Sequence, residues 1–199
     1  MIMENDDNVE EQGRRWLLPA LALGAAGFAA NFFGLEIFFN VELLFGSFFS
    51  SFALLRYGPR AGVLAGVVAA ASTVPVLQHP WFWPVLCGEA LFLARFLKRT
   101  RNPVQLDVLF WFFGAPVIWI LYRDLLGVPA QSATLVMLKH AINGILNVLL
   151  ASIVQLALQY RQHAPHRLPK LRHVVFSSMV ALVLALVLAD LMIDLRNQM

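Results

Sequence analysis

Three charged side chains stand within otherwise apolar stretches of this chain: Glu89, Asp107 and Lys139. At the centre of a membrane-spanning helix, an ionisable group costs about 2.5–3.5 kcal/mol on insertion scales, so each needs a partner, a wet cavity or a task. Asn143 and Asn147 follow Lys139 at successive steps of four. On a helix that spacing lines an amine and two amides along one stripe, with His140 and Gly144 one step round. The stripe could wall a pocket for a polar organic ligand, or its amides could bridge helices for about 1 kcal/mol or less each. Counted inward from the ends of their segments, Glu89 lies about 12 Å deep and Lys139 about 10 Å deep. Those depths predict that the two face one another, as a structural ion pair or as two walls of a ligand pocket. Asn40, Glu42, His79 and Trp83 fall at the expected mouth of that pocket and complete the candidate ligand-binding set. Trp83, with Trp81, also suits an interfacial anchor. Asp107, close to the basic run 98–101 and to Arg95, predicts a salt bridge at a helix end.

Other chemistries lack their parts. No hydroxyl or thiol has a base placed beside it, as nucleophilic catalysis needs. No His or carboxylate cluster has metal-ligand spacing. His163, His166 and His173 are spread among arginines and suit a surface facing anionic lipid. The single cysteine, Cys87, excludes an internal disulfide. Neither a phosphate-binding glycine loop nor a dinucleotide motif is present. The expectation is a protein that is not itself an enzyme, with no cofactor, no metal and no nucleic-acid partner.

The elements that must position these residues follow from composition. Of the 199 residues 59% are apolar and 14% charged, with mean hydropathy +0.69. A soluble domain is roughly a quarter charged. Apolar segments cover 16–33, 38–55, 61–77, 81–97, 106–122, 133–159 and 174–192, and each approaches the ~20 residues that cross a bilayer core. Backbone amides in hydrocarbon must be satisfied within a segment, so the spans should be α-helices. Pro75 and Pro116 predict kinks. Gly62 and Gly66, with the small residues around Gly24, Gly27 and Gly46, predict close packing of the early helices. Arg14 and Arg15, then Arg56 and Arg60, then Arg95, Lys98, Arg99 and Arg101, then Arg161, Arg167, Lys170 and Arg172 all fall on alternate loops. The positive-inside rule places those loops and the N-terminus in the cytoplasm. The expected fold is an all-α integral membrane protein of a bacterial inner membrane: a six-helix transmembrane bundle plus a seventh exit helix. Its parts are a cytoplasmic tail (1–15), the bundle (16–160), a basic loop (161–173) and an outward-leading helix (174–199). The polar stop after that helix suggests a piece of a longer chain.

Three segments carry a family resemblance: FGSFFSSFALLRYGPRAGVLAG, HPWFWPVLCGEALFLARFLKR and LKHAINGILNVLLASI. They resemble the membrane-embedded N-terminal sensor domains of bacterial sensor kinases and diguanylate cyclases. Those domains are similar to vitamin-uptake-like and LytS-type sensors. The resemblance implies a ligand cavity open to the outer side, a homodimer, and a kinase or cyclase output carried elsewhere. The expected partners are the bilayer and a small polar or amphipathic ligand. The alternative is the substrate-binding membrane subunit of a vitamin-type transporter.

Overall fold

The computed structural model describes residues 15–38, 41–100 and 102–161, and marks 179, 180 and 183 as helical. In chain order come α1 (Leu17–Ala30) with a 3-10 turn (Asn31–Phe33), a hairpin of β1 (Leu35–Phe38) and β2 (Val41–Leu43), and α2 (Gly46–Tyr57). Then follow α3 (Pro59–Ala71), the short α4 (Thr73–Leu77), α5 (Phe82–Thr100), α6 (Pro103–Ile120) ending in a π turn (Leu121–Leu125), and α7 (Ala130–Arg161). The described residues are thus helical with one short antiparallel hairpin.

Local chemistry sets the boundaries. Gly58, at φ 96°, closes α2 in a conformation that a side chain would strain, and Pro59 opens α3 where its missing N–H costs nothing. Asn102 caps α6 by accepting the Gln105 N–H at 3.2 Å, again with proline in the first turn. The kink expected at Pro75 is realised as a break at Ser72 between α3 and α4. Pro75 cannot donate to the Ala71 carbonyl, and its ring crowds that oxygen. The hydroxyls of Ser72 and Thr73 return to the carbonyls of Ala69 and Ala70, each at 2.7 Å. By contrast, Pro116 lies inside α6 with no break in the helix.

The span expected over 38–55 is corrected by the structure. Leu35–Phe38 and Val41–Leu43 pair as the hairpin instead, Leu35 with Leu43, Glu36 with Glu42 and Phe38 with Val41. The polar–apolar alternation of Leu35-Glu36-Ile37 and Val41-Glu42-Leu43 is a strand pattern, masked by its greasy surroundings. In consequence α2 has only 12 residues, about 18 Å of helix, or little more than half of a bilayer core.

The helices α1, α2 and α3 pack on one another through small residues, among them Ala20, Gly24, Gly46, Ala53, Ala61, Gly62 and Ala65. A Cβ on Gly62 would stand 2.5 Å from the Leu54 Cβ and 2.9 Å from its Cα, so only glycine allows that approach. Beyond this sheaf α3 packs on α5, α5 on α6, α6 on α7, and α7 returns to α2. The larger apolar core lies among α5, α6 and α7, around Phe82, Leu93, Trp111, Ile118 and Val148. Among the described residues three helical segments are long and apolar enough to cross a membrane: Pro59–Leu77, Pro103–Leu125 and Ala130–Arg161. Most of the tail and basic loop, and the span expected over 174–192 apart from the three helical positions, lie outside the described residues.

Candidate functional site

Two sets of side-chain amides hold the entrance to α2. Asn31, at the end of α1, accepts the Gly46 N–H on Oδ1 at 2.7 Å and donates through Nδ2 to the Ser72 hydroxyl at 2.8 Å. It thereby ties α1, α2 and the end of α3 at one point. From the other side, Asn143 of α7 accepts the Leu44 N–H at 3.1 Å and donates to the Leu44 carbonyl at 2.9 Å. Asn147, one turn further, donates to the same carbonyl at 2.6 Å. The first turn of α2 has no side-chain cap of its own. Amides borrowed from α1 and α7 therefore satisfy backbone groups that would otherwise be buried without partners, at about 1–3 kcal/mol each.

Beneath this entrance lies a group of buried acids. Ser47, in the first turn of α2, donates its hydroxyl to Oε2 of Glu89 on α5 at 2.9 Å. The other Glu89 oxygen has no hydrogen-bond partner, and the residue is 2% exposed. Asp107 on α6 is fully buried with both carboxyl oxygens unpartnered, and Glu89 lies within electrostatic reach of it. Trp111 follows Asp107 by one turn, so it shares that inward face. Its ring lies against α7 at Gly144, where an added Cβ would run into the indole Nε1, and that nitrogen faces Glu89 without closing a hydrogen bond. Glu89, Asp107 and Trp111 converge from two helices, and Leu86, Leu93, Ile145 and Val148 belong to the apolar cluster around them.

Neither expected ion pair is seen among the described residues. Asp107 forms no salt bridge with Arg95, Lys98 or Arg99: neither of its oxygens receives a hydrogen bond from an N–H or O–H donor, while the guanidinium groups of Arg95 and Arg99 each lie 5.7 Å from the Phe96 ring centroid. Helix phase explains the correction. Asp107 shares a face with buried Val104 and Trp111, whereas Arg95 and Arg99 occupy the exposed face of α5. Nor does Glu89 meet Lys139: the side chains that act on its carboxyl group are Ser47, Asp107 and Trp111. Trp111 meets α7 at Gly144, five positions beyond Lys139, or about 7 Å along the helix. Lys139 instead lies partly exposed beside His140, whose ring packs on Phe82 with centroids 3.9 Å apart.

The remaining candidates disperse. His79, before α5, hydrogen-bonds through Nε2 with the Tyr122 hydroxyl at 3.0 Å, tying that loop to the π turn. Burial pushes its imidazole below the ordinary histidine value, with a backbone hydrogen bond partly opposing the shift. Trp83 donates its indole N–H to the Val67 carbonyl on α3 at 3.2 Å. Glu42 stands in β2 opposite Glu36, and Asn40 lies outside the described residues.

Sequence reasoning passed over Asn31, Ser47 and Trp111. Asn31 is a lone amide at the end of its apolar segment, Ser47 one small residue among several, and Trp111 one aromatic in an aromatic run. Only their tertiary partners distinguish them. Among the described residues no group of three or more His, Cys, Asp or Glu is placed to hold a metal ion. No protein-family model, curated protein or solved structure matches this chain.

Proposed function

We propose that this chain is the membrane-embedded input domain of a bacterial sensor histidine kinase or diguanylate cyclase. On this reading it sits in the inner membrane as a six-helix bundle with a seventh exit helix, N-terminus in the cytoplasm, and pairs with a second copy. The output enzyme lies in another domain. Its ligand is a small polar or amphipathic molecule from the outer side, which competes for the amides of Asn143 and Asn147. The observation that carries this reading is the way the entrance to α2 is held. Leu44 is gripped by side chains 99 and 103 residues away in sequence. A carboxylate or amide offering the same acceptors could displace it. Release of Leu44 would free the hairpin and the first turn of α2, and the ligand's preference for one arrangement would set their populations.

The test is a thermal-shift screen of small carboxylic acids and amides against the purified chain in lipid nanodiscs. Compounds that stabilise the native protein but not Asn147→Leu support the reading. Stabilisation unchanged in both Asn143→Leu and Asn147→Leu removes the ligand from α7. The transporter alternative draws on the interrupted path into α2, because discontinuous helices border substrate sites in transporters. Uptake of a stabilising compound into liposomes holding this chain and an ATPase partner would favour it.

A further inference from the structure

We propose that Glu89 and Asp107 form a proton-binding site inside the bundle, the two carboxyl groups holding at least one proton between them beneath the N-terminus of α2. Three of their four oxygens receive no hydrogen bond from an N–H or O–H donor, the two carboxyl groups lie within reach of one another, and both residues are almost completely buried. Two bare carboxylates this close in a low-dielectric interior would repel strongly and lose their hydration, at a cost of many kcal/mol. Among the described residues no cation is placed to cancel that cost at the pair. On α5 the basic residues Arg95, Lys98 and Arg99 sit at the exposed C-terminal end, and on α2 and α3 Arg56 and Arg60 are exposed beside the Gly58 turn. The basic groups of α7 are Arg161 at its end, Lys139 and His140, and the buried His140 ring is packed under Phe82. Beyond Asp107, α6 presents the Trp111 N–H toward Glu89, with Arg123 and Asp124 exposed in the π turn.

A proton suits the site better than a metal ion. The groups already converging on Glu89 are donors, the Ser47 hydroxyl and the indole of Trp111, whose hydrogens would repel a cation. Ser51, one turn beyond Ser47, has a buried and unpartnered hydroxyl. It lies with Ser50, Leu54, Gly62, Ala90 and Leu93 where α2, α3 and α5 pack closely. Losing the proton would leave negative charge under the first turn of α2, which a helix N-terminus favours. Occupancy of the site and docking of α2 are therefore linked.

The experiment is infrared difference spectroscopy of the full chain in lipid nanodiscs across a pH step upward from neutrality. One sample carries 13C in aspartate carboxyls and another in glutamate carboxyls. The expected result is a protonated-carboxyl C=O band at neutral pH that moves with one or both labels, declines after the step, and is lost in Glu89→Gln/Asp107→Asn. The labels act on the native protein, so this readout stands even if the double variant does not fold. Absence of a label-sensitive band at neutral pH overturns the proposal, as does a band that persists in the folded double variant.

Discussion

The helices α1, α2 and α3 meet through Ala20, Gly24, Ala53, Gly62 and Ala65, whereas α5, α6 and α7 meet through Phe82, Leu93, Trp111, Ile118 and Val148. In the first region backbones approach closely, and several hydroxyls turn back on the carbonyls of the preceding turn. Ser50, Ser72 and Thr73 each bond a carbonyl three residues earlier. In the second region large side chains hold the helices apart, and the space between admits carboxyl and indole groups whose partners are incomplete. Close packing fixes the first region, while the second keeps polar groups whose state can change. The entrance to α2 joins them, held by Asn31 from one side and by Asn143 and Asn147 from the other.

The largest effect should come from cutting that junction. Asn143→Leu leaves the Leu44 N–H buried without a partner and should lower stability by about 2–3 kcal/mol. Asn147→Leu, which leaves the Leu44 carbonyl its bond from Asn143, should cost about 1 kcal/mol. Chemical unfolding in detergent orders the two, and amide hydrogen exchange at Leu44 should accelerate more in the first. Equal costs would mean that Leu44 is not the point of attachment.

A smaller contrast separates the two packing modes. Gly62→Ala drives a methyl into the backbone of Leu54, which cannot yield, and should cost about 1–3 kcal/mol. Gly88→Ala in α5 meets nothing closer than the Phe110 ring at 3.9 Å. It should be neutral or stabilise by up to about 1 kcal/mol through helix propensity. Similar losses at both sites in thermal unfolding would erase the distinction between the regions.

The smallest effect is expected at His79. Its folded-state pKa lies below the ordinary value because burial disfavours the charged ring. The unfolded chain therefore binds more protons as pH falls, and the contribution of His79 to stability, complete above the unfolded value near 6.5, declines below it. His79→Gln should flatten that part of the pH–stability curve. An unchanged slope between pH 7 and 5 would detach His79 from it.

Much of the helical plan could be read from composition and breakers. The Gly58-Pro59 turn and the apolar lengths of α3, α6 and α7 are local properties, and so they appear where hydrophobicity, glycine and proline put them. The hairpin 35–43 was obscured because its alternation is short and its neighbours are apolar. The Asn143–Asn147 spacing was legible as one face of a helix, but what that face holds was not. The pairing of Glu89 with Lys139 rested on matched depths alone. Depth along a helix says nothing about which neighbour stands opposite.

By itself, then, the sequence determined that this chain is built from apolar helices and that the few ionisable groups among them must be accommodated inside. Hydropathy, breaker residues and i to i+4 spacing act within a few residues, and a single strand of sequence carries them completely. Only the tertiary structure decided that Glu89 meets Ser47 and Asp107, that Asn143 and Asn147 hold the Leu44 peptide group, and that Trp111 closes on Gly144. Each of those contacts joins residues at least 18 positions apart. Each depends on the rotation of one helix against another, which is fixed by the packing of all the side chains between them.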